Sequence, residues 1–213
     1  MPRTSDKRET LIRAADALFH RRGFERSTIA DLAASAAVPL GNVYYYFKTK
    51  DDLIAAVVRH RNEASLARQK ELEALGSARE RLLRFVDRFG TLIESRTAHG
   101  CPTGGLCLET NKIGGVAAER AAGAFRQSLA WLARQFRELG RKPKQAEADA
   151  GQVMGGLQGA ILLANTFKDP EFMIREIGRL KEWLAALPAG KTGSGKTAKA
   201  STEKQATRKG RKR

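Results

Sequence analysis

The chain has 213 residues, of which 42% are hydrophobic and 29% charged, a composition typical of globular proteins. Its longest unbroken apolar run, Ala160 to Ala164, is far shorter than the roughly 20 residues that cross a bilayer. The charged N-terminus does not resemble a secretion signal, so we expect no membrane span and a cytoplasmic location. The net charge of +16 indicates a polyanionic partner.

Half of this charge lies at the C-terminal end. From Pro188 onward there are nine Lys or Arg residues and one Glu, and almost no apolar side chain larger than Ala. Such a segment cannot bury enough surface to offset the entropy cost of ordering, so residues 188–213 are predicted to be a disordered basic tail. The two cysteines, in a chain without a secretion signal, argue against a disulfide framework.

The fold class is predicted to be all-α, with about nine helices, because apolar residues recur at helical spacing and no segment alternates with a period of two. We expect a three-helix domain over residues 1–52 and a helical bundle over 53–187. The first four helices are predicted at about 6–22, 28–36, 39–47 and 49–75. The later ones follow at about 82–93, 106–111, 125–139, 153–164 and 173–187, with a loop over 99–105.

Residues 23–53 have the organisation of a helix-turn-helix: a capped short helix, a turn and a second short helix. If Val43 and Phe47 face the core, Tyr45 points almost directly away at about 100 degrees per residue. Gly41 on the same outward side allows a close approach of backbone to DNA. The three successive tyrosines by themselves fit either an aromatic core stripe or a DNA-reading face.

The spacing of the surrounding residues favours the second interpretation. Gly41, Tyr44, Phe47, Lys50 and Leu53 recur every three residues, and this pattern closely resembles the signature of the TetR family of repressors. The residues upstream match the same pattern in register. Pro39 departs from it, because the family usually has a Ser or Thr there.

The resemblance implies a dimer that binds double-stranded DNA at a pseudo-palindromic operator and responds to a small-molecule or electrophilic effector. Base-facing or phosphate-contacting roles are implied for a set of helix-turn-helix residues. These are Thr28, Leu40, Gly41, Asn42, Tyr44, Tyr45, Tyr46 and Lys50.

The resemblance also implies that the bundle holds an effector pocket and the dimer contact. We expect the last two helices of each subunit to form a four-helix interface, although the same residues would also suit packing inside one subunit. The predicted interface residues are Met154, Leu157, Ile161, Ile177, Leu180, Trp183 and Leu184. The candidate pocket residues are Phe89, Phe125, Trp131 and Gln158, which would also suit a core.

Cys101 and Cys107 lie in a segment that contains Pro and two glycines. Some TetR-like regulators have a similar Gly-Cys-Pro sequence. If Cys107 lies near a helix N-terminus, its pKa is lowered, which would suit a thiol sensor with Cys101 as its resolving partner. The alternative is that both thiols simply pack as small hydrophobic side chains.

Two other functions fit parts of the sequence. Residues 190–197 match the P-loop pattern, but they lack the flanking strand and helix that a P-loop needs, so we expect no enzyme and no cofactor. A nonspecific architectural DNA-binding protein would use the basic tail as its main clamp. The sequence predicts no metal site, because His99 and the two cysteines supply only three ligands from one loop.

Overall fold

The computed structural model describes residues 4–188, which form ten α-helices and no strand. The helices are α1 (Thr4–Arg22), α2 (Ile29–Ser35), α3 (Leu40–Tyr46), α4 (Lys50–Glu73), α5 (Ala78–Gly90), α6 (Ile93–His99), α7 (Pro102–Ile113), α8 (Gly115–Glu138), α9 (Pro143–Phe167) and α10 (Glu171–Ala186). The all-α prediction is confirmed. The additional helix is α6, because helix α5 ends at Gly90 and a separate short helix begins at Ile93. Residues 189–213, with the P-loop-like motif at 190–197, lie outside the described residues.

The three N-terminal helices pack around one hydrophobic core. The Thr28 hydroxyl caps α2 by accepting the Asp31 N–H at 3.1 Å, and the Asp31 carboxylate accepts the Thr28 N–H at 2.9 Å. The chain then turns at Ala37, whose φ of 52° lies in the left-handed region. This turn brings α3 against α2, with Leu32 and Val43 both fully buried.

Helix α4 joins this core to the rest of the molecule. It begins with a second capping box, in which Thr49 and Asp52 satisfy each other's backbone N–H groups. Its first turns contribute Leu53 and Val57 to the N-terminal core, and Leu72 near its end belongs to a second core. The predicted division at residues 52 and 53 therefore falls inside a continuous helix, and it remains a prediction.

The second core is formed mainly by α5, α8, α9 and α10, which pack as a helical bundle. Its most deeply buried large side chains include Leu82, Leu132, Phe136, Leu157, Ile161, Met173, Leu180 and Leu184. None of the described helices combines the length and the apolarity that crossing a membrane requires.

The predicted dimer-contact residues belong mostly to this bundle core. Six of the seven are buried within the subunit, and the seventh, Trp183, packs its ring 5.7 Å from that of Phe136. These six side chains therefore pack inside the subunit, which is the alternative that the sequence left open, whereas Trp183 is half-buried. The dimer contact itself remains a prediction. Other side chains of α9 and α10 remain exposed, namely Leu162, Leu163, Phe167 and Ile174.

The segment predicted as a loop over 99–105 is largely helical. Cys101 is the N-cap of α7, with its sulfur accepting the Gly104 N–H at 3.3 Å, and Pro102 occupies the first helical position. A Cβ on Gly104 would lie 3.1 Å from Oε1 of Gln158 in α9. The glycine therefore permits a close approach of α7 to α9, and this packing outweighs its low helix propensity.

Candidate nucleic-acid interface and neighbouring cavity

Helix α3 presents one buried side and one open side. Val43 and Phe47 are buried in the N-terminal core, whereas 69% of Tyr45 is exposed. Among the described residues, no atom beyond its chain neighbours and its own helix backbone lies within 4 Å of the position that a Cβ on Gly41 would take. The predicted phasing of α3 is therefore confirmed, and the face formed by Gly41 and Tyr45 is free to meet a groove of DNA.

The three tyrosines have different environments. Tyr44 is 45% exposed, while Tyr46 is half-buried and packs against the N-terminal core. The rings of Tyr45 and Tyr46 meet edge to face, with centroids 4.9 Å apart. Tyr46 thus supports the ring of Tyr45 from the core side, and Tyr44 and Tyr45 keep their hydroxyl groups accessible.

The start of α3 lacks the side-chain cap that a Ser or Thr would provide. Pro39 is its N-cap residue and makes no side-chain capping hydrogen bond. Leu40 and Asn42 are both exposed in the first turn. The predicted contact of Leu40 would be apolar, as with a thymine methyl group, and that of Asn42 polar.

Thr28 is exposed at the start of α2, but its hydroxyl has an internal partner. Thr28 Oγ1 donates to Asp31 Oδ2 at 2.7 Å, and these hydrogen bonds lower the pKa of the Asp31 carboxyl. A phosphate contact from Thr28 would therefore compete with this capping box.

Lys50 contacts the loop between α1 and α2. Its ammonium donates to the carbonyl oxygen of Glu25 at 3.0 Å and lies 4.3 Å from the centre of the Phe24 ring. The Glu25 N–H in turn donates to the Glu109 carboxylate of α7 at 2.7 Å. Lys50 therefore has a structural role beside its predicted phosphate contact. Lys48, which sequence reasoning missed, is exposed in the short connection before α4.

A cavity of about 240 Å³ lies inside the C-terminal half, lined by residues of α4, α5, α7, α8 and α9 among others. Of the four predicted pocket residues, Phe89, Phe125 and Gln158 line it. Trp131 does not, because it stacks behind Phe85 at a centroid distance of 5.7 Å and donates its ring N–H to Glu73 at 3.0 Å.

Sequence reasoning missed the most unusual feature of this cavity. Its lining includes four arginines, Arg61, Arg68, Arg88 and Arg96, and no Asp or Glu. The only sequence signal was local: Arg61 and Arg68 are seven residues apart, about two helical turns, so they lie on one face of α4. Their meeting with Arg88 and Arg96 depends on the packing of three separate helices.

Arg61 connects the cavity to the N-terminal helices. It is buried, pairs with the Asp16 carboxylate of α1 and donates to the carbonyl oxygen of Pro102 at the start of α7. Nearby, His20 of α1 lies 3.0 Å from the Gly100 carbonyl oxygen, and burial lowers its pKa. Two polar links therefore run from α1 to the segment that begins α7.

The environment of Cys107 differs from the prediction, whereas the thiol-sensor role itself remains a prediction. Burial, together with the neighbouring Cys101, raises the pKa of Cys107, so the predicted acidic thiol at this position is wrong. The reason is its place in α7: Cys101 caps the helix, and Cys107 lies beyond the first turn. Six residues of helix separate the pair by about 9 Å, beyond the roughly 7 Å that a disulfide tolerates. A Cys101–Cys107 disulfide would require α7 to unwind.

Comparison with known proteins agrees with this arrangement. Residues 11–57 match the profile of bacterial regulatory proteins of the tetR family, and residues 79–177 match that of the C-terminal domain of LmrA/YxaF-like transcriptional regulators. The probable HTH-type transcriptional regulator ArpR of Pseudomonas putida is 34% identical over 98 residues, which are 43% of this chain and 46% of that protein. The chain thus spans about half the length of this relative.

Two further similarities extend over more of the chain. A protein of Mycobacterium tuberculosis described as an uncharacterized HTH-type transcriptional regulator is 28% identical over 170 residues, covering 76% of this chain and 86% of that one. The crystal structure of a TetR transcriptional regulator from Legionella pneumophila superposes with a TM-score of 0.77 at 20% identity, covering 86% of this chain and 98% of that one. With its helix-turn-helix and its C-terminal bundle both matched, the chain belongs to the TetR family of helix-turn-helix transcriptional regulators.

Proposed function

We propose that the chain is a homodimeric transcriptional repressor, which binds a pseudo-palindromic operator through α3 and leaves it when a small molecule occupies the arginine-lined cavity. The observation that carries the DNA-binding proposal is the open face of α3, where Gly41 and Tyr45 are exposed opposite the buried Val43 and Phe47. Such a protein would act at the chromosome in the cytoplasm and would need no catalytic step or cofactor.

The dimer proposal rests on an apolar stripe along α9. Gly155, Gly159, Leu163 and Phe167 follow each other at four-residue intervals and therefore share one face of the helix. Both glycines have open space above them, and 63% of Phe167 is exposed. Small residues followed by large apolar ones allow a second copy of α9 to approach closely.

The effector proposal rests on the links between the cavity and α1. Arg61 lines the cavity and also pairs with Asp16 of α1. A ligand that draws Arg61 into the cavity would therefore weaken this ion pair. Because the orientation of α3 depends on the helices packed against it, a shift of α1 would change the distance between the two α3 helices of a dimer.

Selection of DNA fragments on the full-length protein tests the operator proposal. We expect an enriched inverted repeat whose half-sites are about one helical turn apart or a multiple of it. Tyr45→Ala should lose most of this preference. Leu108→Ala, which truncates an equally exposed side chain of α7, is the matched control and should retain it.

Removal of residues 189–213 separates this proposal from the architectural alternative. A specific repressor keeps its preference for the repeat at moderate salt after the tail is removed, whereas an architectural protein loses most of its binding. Enrichment of no sequence, or equal enrichment by wild type and Tyr45→Ala, would contradict the proposal.

Light scattering tests the dimer surface. Phe167→Asp should convert the protein to a monomer, because it places a charge next to Leu163 at the C-terminal end of the apolar stripe. Leu108→Asp makes the same change at a similarly exposed site on α7 and should leave the dimer intact. A Phe167→Asp protein that remains dimeric would exclude this face of α9.

A further inference from the structure

The wall of the cavity in the C-terminal half carries several positive charges, and the described part of the chain contributes no negatively charged side chain to it. Four arginine side chains reach its wall, and none of its lining residues is acidic. Two of the four have a partner outside the cavity: Arg61 pairs with Asp16, and Arg88 lies 3.8 Å from Glu71. Arg68 and Arg96 form no ion pair within the described part of the chain.

Arg96 is the more enclosed of these two. Its guanidinium carbon lies 4.0 Å from the centre of the Phe89 ring, and its Nε and Nη1 atoms are buried without a hydrogen-bond partner among residues 6–188. A buried donor on a charged group that has no hydrogen-bond partner destabilises the folded state. A fold that keeps such donors is therefore expected to satisfy them with something that enters the cavity.

Arg68 lies in the same electrostatic environment. Burial and the nearby charge of Arg88 lower its pKa, although Glu71 and Asp16 act in the opposite direction. Burial, with the charges of Arg68 and Arg88, also lowers the pKa of Arg96 against the opposite effect of Cys101. The lowered pKa values report that these cations repel one another in a region of reduced solvation. A bound anion would relieve both effects at once.

The remaining wall determines what kind of anion fits. Apolar surface comes from further lining residues, namely Phe85, Phe89, Phe125, Leu72 and Met154, and Phe89 lies directly against the Arg96 guanidinium. A volume of about 240 Å³ is at the small end of ligand sites. An inorganic ion would satisfy the arginines but leave this apolar wall without a partner.

We propose that the cavity binds a small organic anion with an aromatic or compact apolar body, whose carboxylate or equivalent oxyanion is held by Arg96 and Arg68. The proposal deepens the effector role given above and rests on that proposed function. Arginine suits this task because its planar donors pair with a carboxylate through two parallel hydrogen bonds.

Calorimetric titration of the full chain in the absence of DNA tests the proposal. The probes are 2-naphthoate and 2-naphthamide, which share a ring system and differ in charge. We expect the wild-type protein to bind the carboxylate at least tenfold more tightly than the amide. Arg96→Gln and Arg68→Gln should each remove most of this difference, and circular dichroism and thermal unfolding establish that each variant folds.

Arg84→Gln provides the matched control, because Arg84 is exposed on α5 and does not line the cavity. It should bind 2-naphthoate as the wild type does. Equal affinity of the wild type for acid and amide, binding of neither, or unchanged carboxylate preference in both Arg96→Gln and Arg68→Gln would overturn the proposal. Inorganic phosphate binding as tightly as 2-naphthoate would also overturn it, because the site would then recognise the charge alone.

The outcome of this titration can be distinguished from the outcome of the DNA selection that tests the repressor function. Selection of an inverted repeat by the ligand-free protein, together with absence of charge preference in the cavity, would reject the anionic ligand and retain the repressor. Tight and arginine-dependent binding of 2-naphthoate by a protein that selects no DNA sequence would retain the anionic ligand and reject the repressor.

Discussion

The guanidinium of Arg61 in α4 pairs with the carboxylate of Asp16 in α1, and this pair lies at the boundary between the N-terminal helices and the cavity. Arg61 is buried, and the Asp16 side chain is partly exposed. The same guanidinium donates to the Pro102 carbonyl oxygen at the start of α7. One side chain therefore connects three helices, and its charge faces both Asp16 and any ligand in the cavity.

A double-mutant cycle should measure a strong Arg61–Asp16 interaction. We expect Arg61→Met and Asp16→Asn each to lower the free energy of unfolding, with a coupling of about 1.5–3 kcal/mol, because the pair joins a buried cation to a carboxylate. Chemical denaturation provides the measurement. The exposed pair Arg88 and Glu71, 3.8 Å apart, is the control and should couple by less than about 1 kcal/mol. Similar coupling in the two pairs would show that Arg61 does not link the helices in this way.

Lys48 and Lys50 should respond differently to truncation. Lys48→Ala is expected to weaken DNA binding without changing stability, and to reduce the slope of log affinity against log salt by about one. Lys50→Ala should also lower the melting temperature, because it removes the hydrogen bond to Glu25 and the contact with Phe24. Thermal unfolding and salt-dependent binding separate these effects. A Lys50→Ala protein with unchanged stability would mean that this lysine acts only on DNA.

His20 should make the stability of the protein depend on pH. Burial, together with the charges of Arg61 and His99, lowers its pKa below 6.5, although the Gly100 carbonyl and Asp16 act in the opposite direction. Between the lowered pKa and about 6.5 the unfolded chain binds more protons than the folded one. Stability should therefore be complete above this range and fall as the pH decreases through it.

Thermal unfolding of wild type and His20→Gln between pH 5 and 8 tests this expectation. The stability of His20→Gln should decrease less than that of the wild type as the pH becomes acidic. His60→Gln alters a histidine of α4 that lies 3.1 Å from Glu9 of α1, and it serves as the control. If both variants follow the wild-type profile, the acid sensitivity does not originate at His20.

Cys107 should be a slow nucleophile in the folded protein. Its raised pKa leaves less thiolate at neutral pH than an ordinary thiol has, and its side chain is half-buried. We expect N-ethylmaleimide to modify Cys107 more slowly in the native protein than after unfolding, by about tenfold or more, as measured by mass spectrometry. Diamide should produce no intramolecular disulfide while α7 is intact. Rapid formation of a Cys101–Cys107 bond would show that α7 opens readily.

The local parts of the DNA-binding half could be predicted from the sequence, because short-range interactions determine them. Thr28 with Asp31 and Thr49 with Asp52 specify two helix starts within four residues each. The angular spacing of helical residues alone places Tyr45 opposite Val43 and Phe47. No distant residue is needed for either inference, and the structure agrees with both.

The cavity and the proposed dimer face required the tertiary structure, because they depend on residues far apart in the chain. Helices α9 and α10 carry apolar residues on more than one side, and only packing shows that Leu157 and Leu180 are enclosed while Phe167 is exposed. Arg68 and Arg96 likewise meet only when their helices fold against each other. The sequence by itself determined the family and the exposed side of α3. Long-range packing decided which of the described charges remain without partners, and therefore what kind of ligand we propose for the cavity.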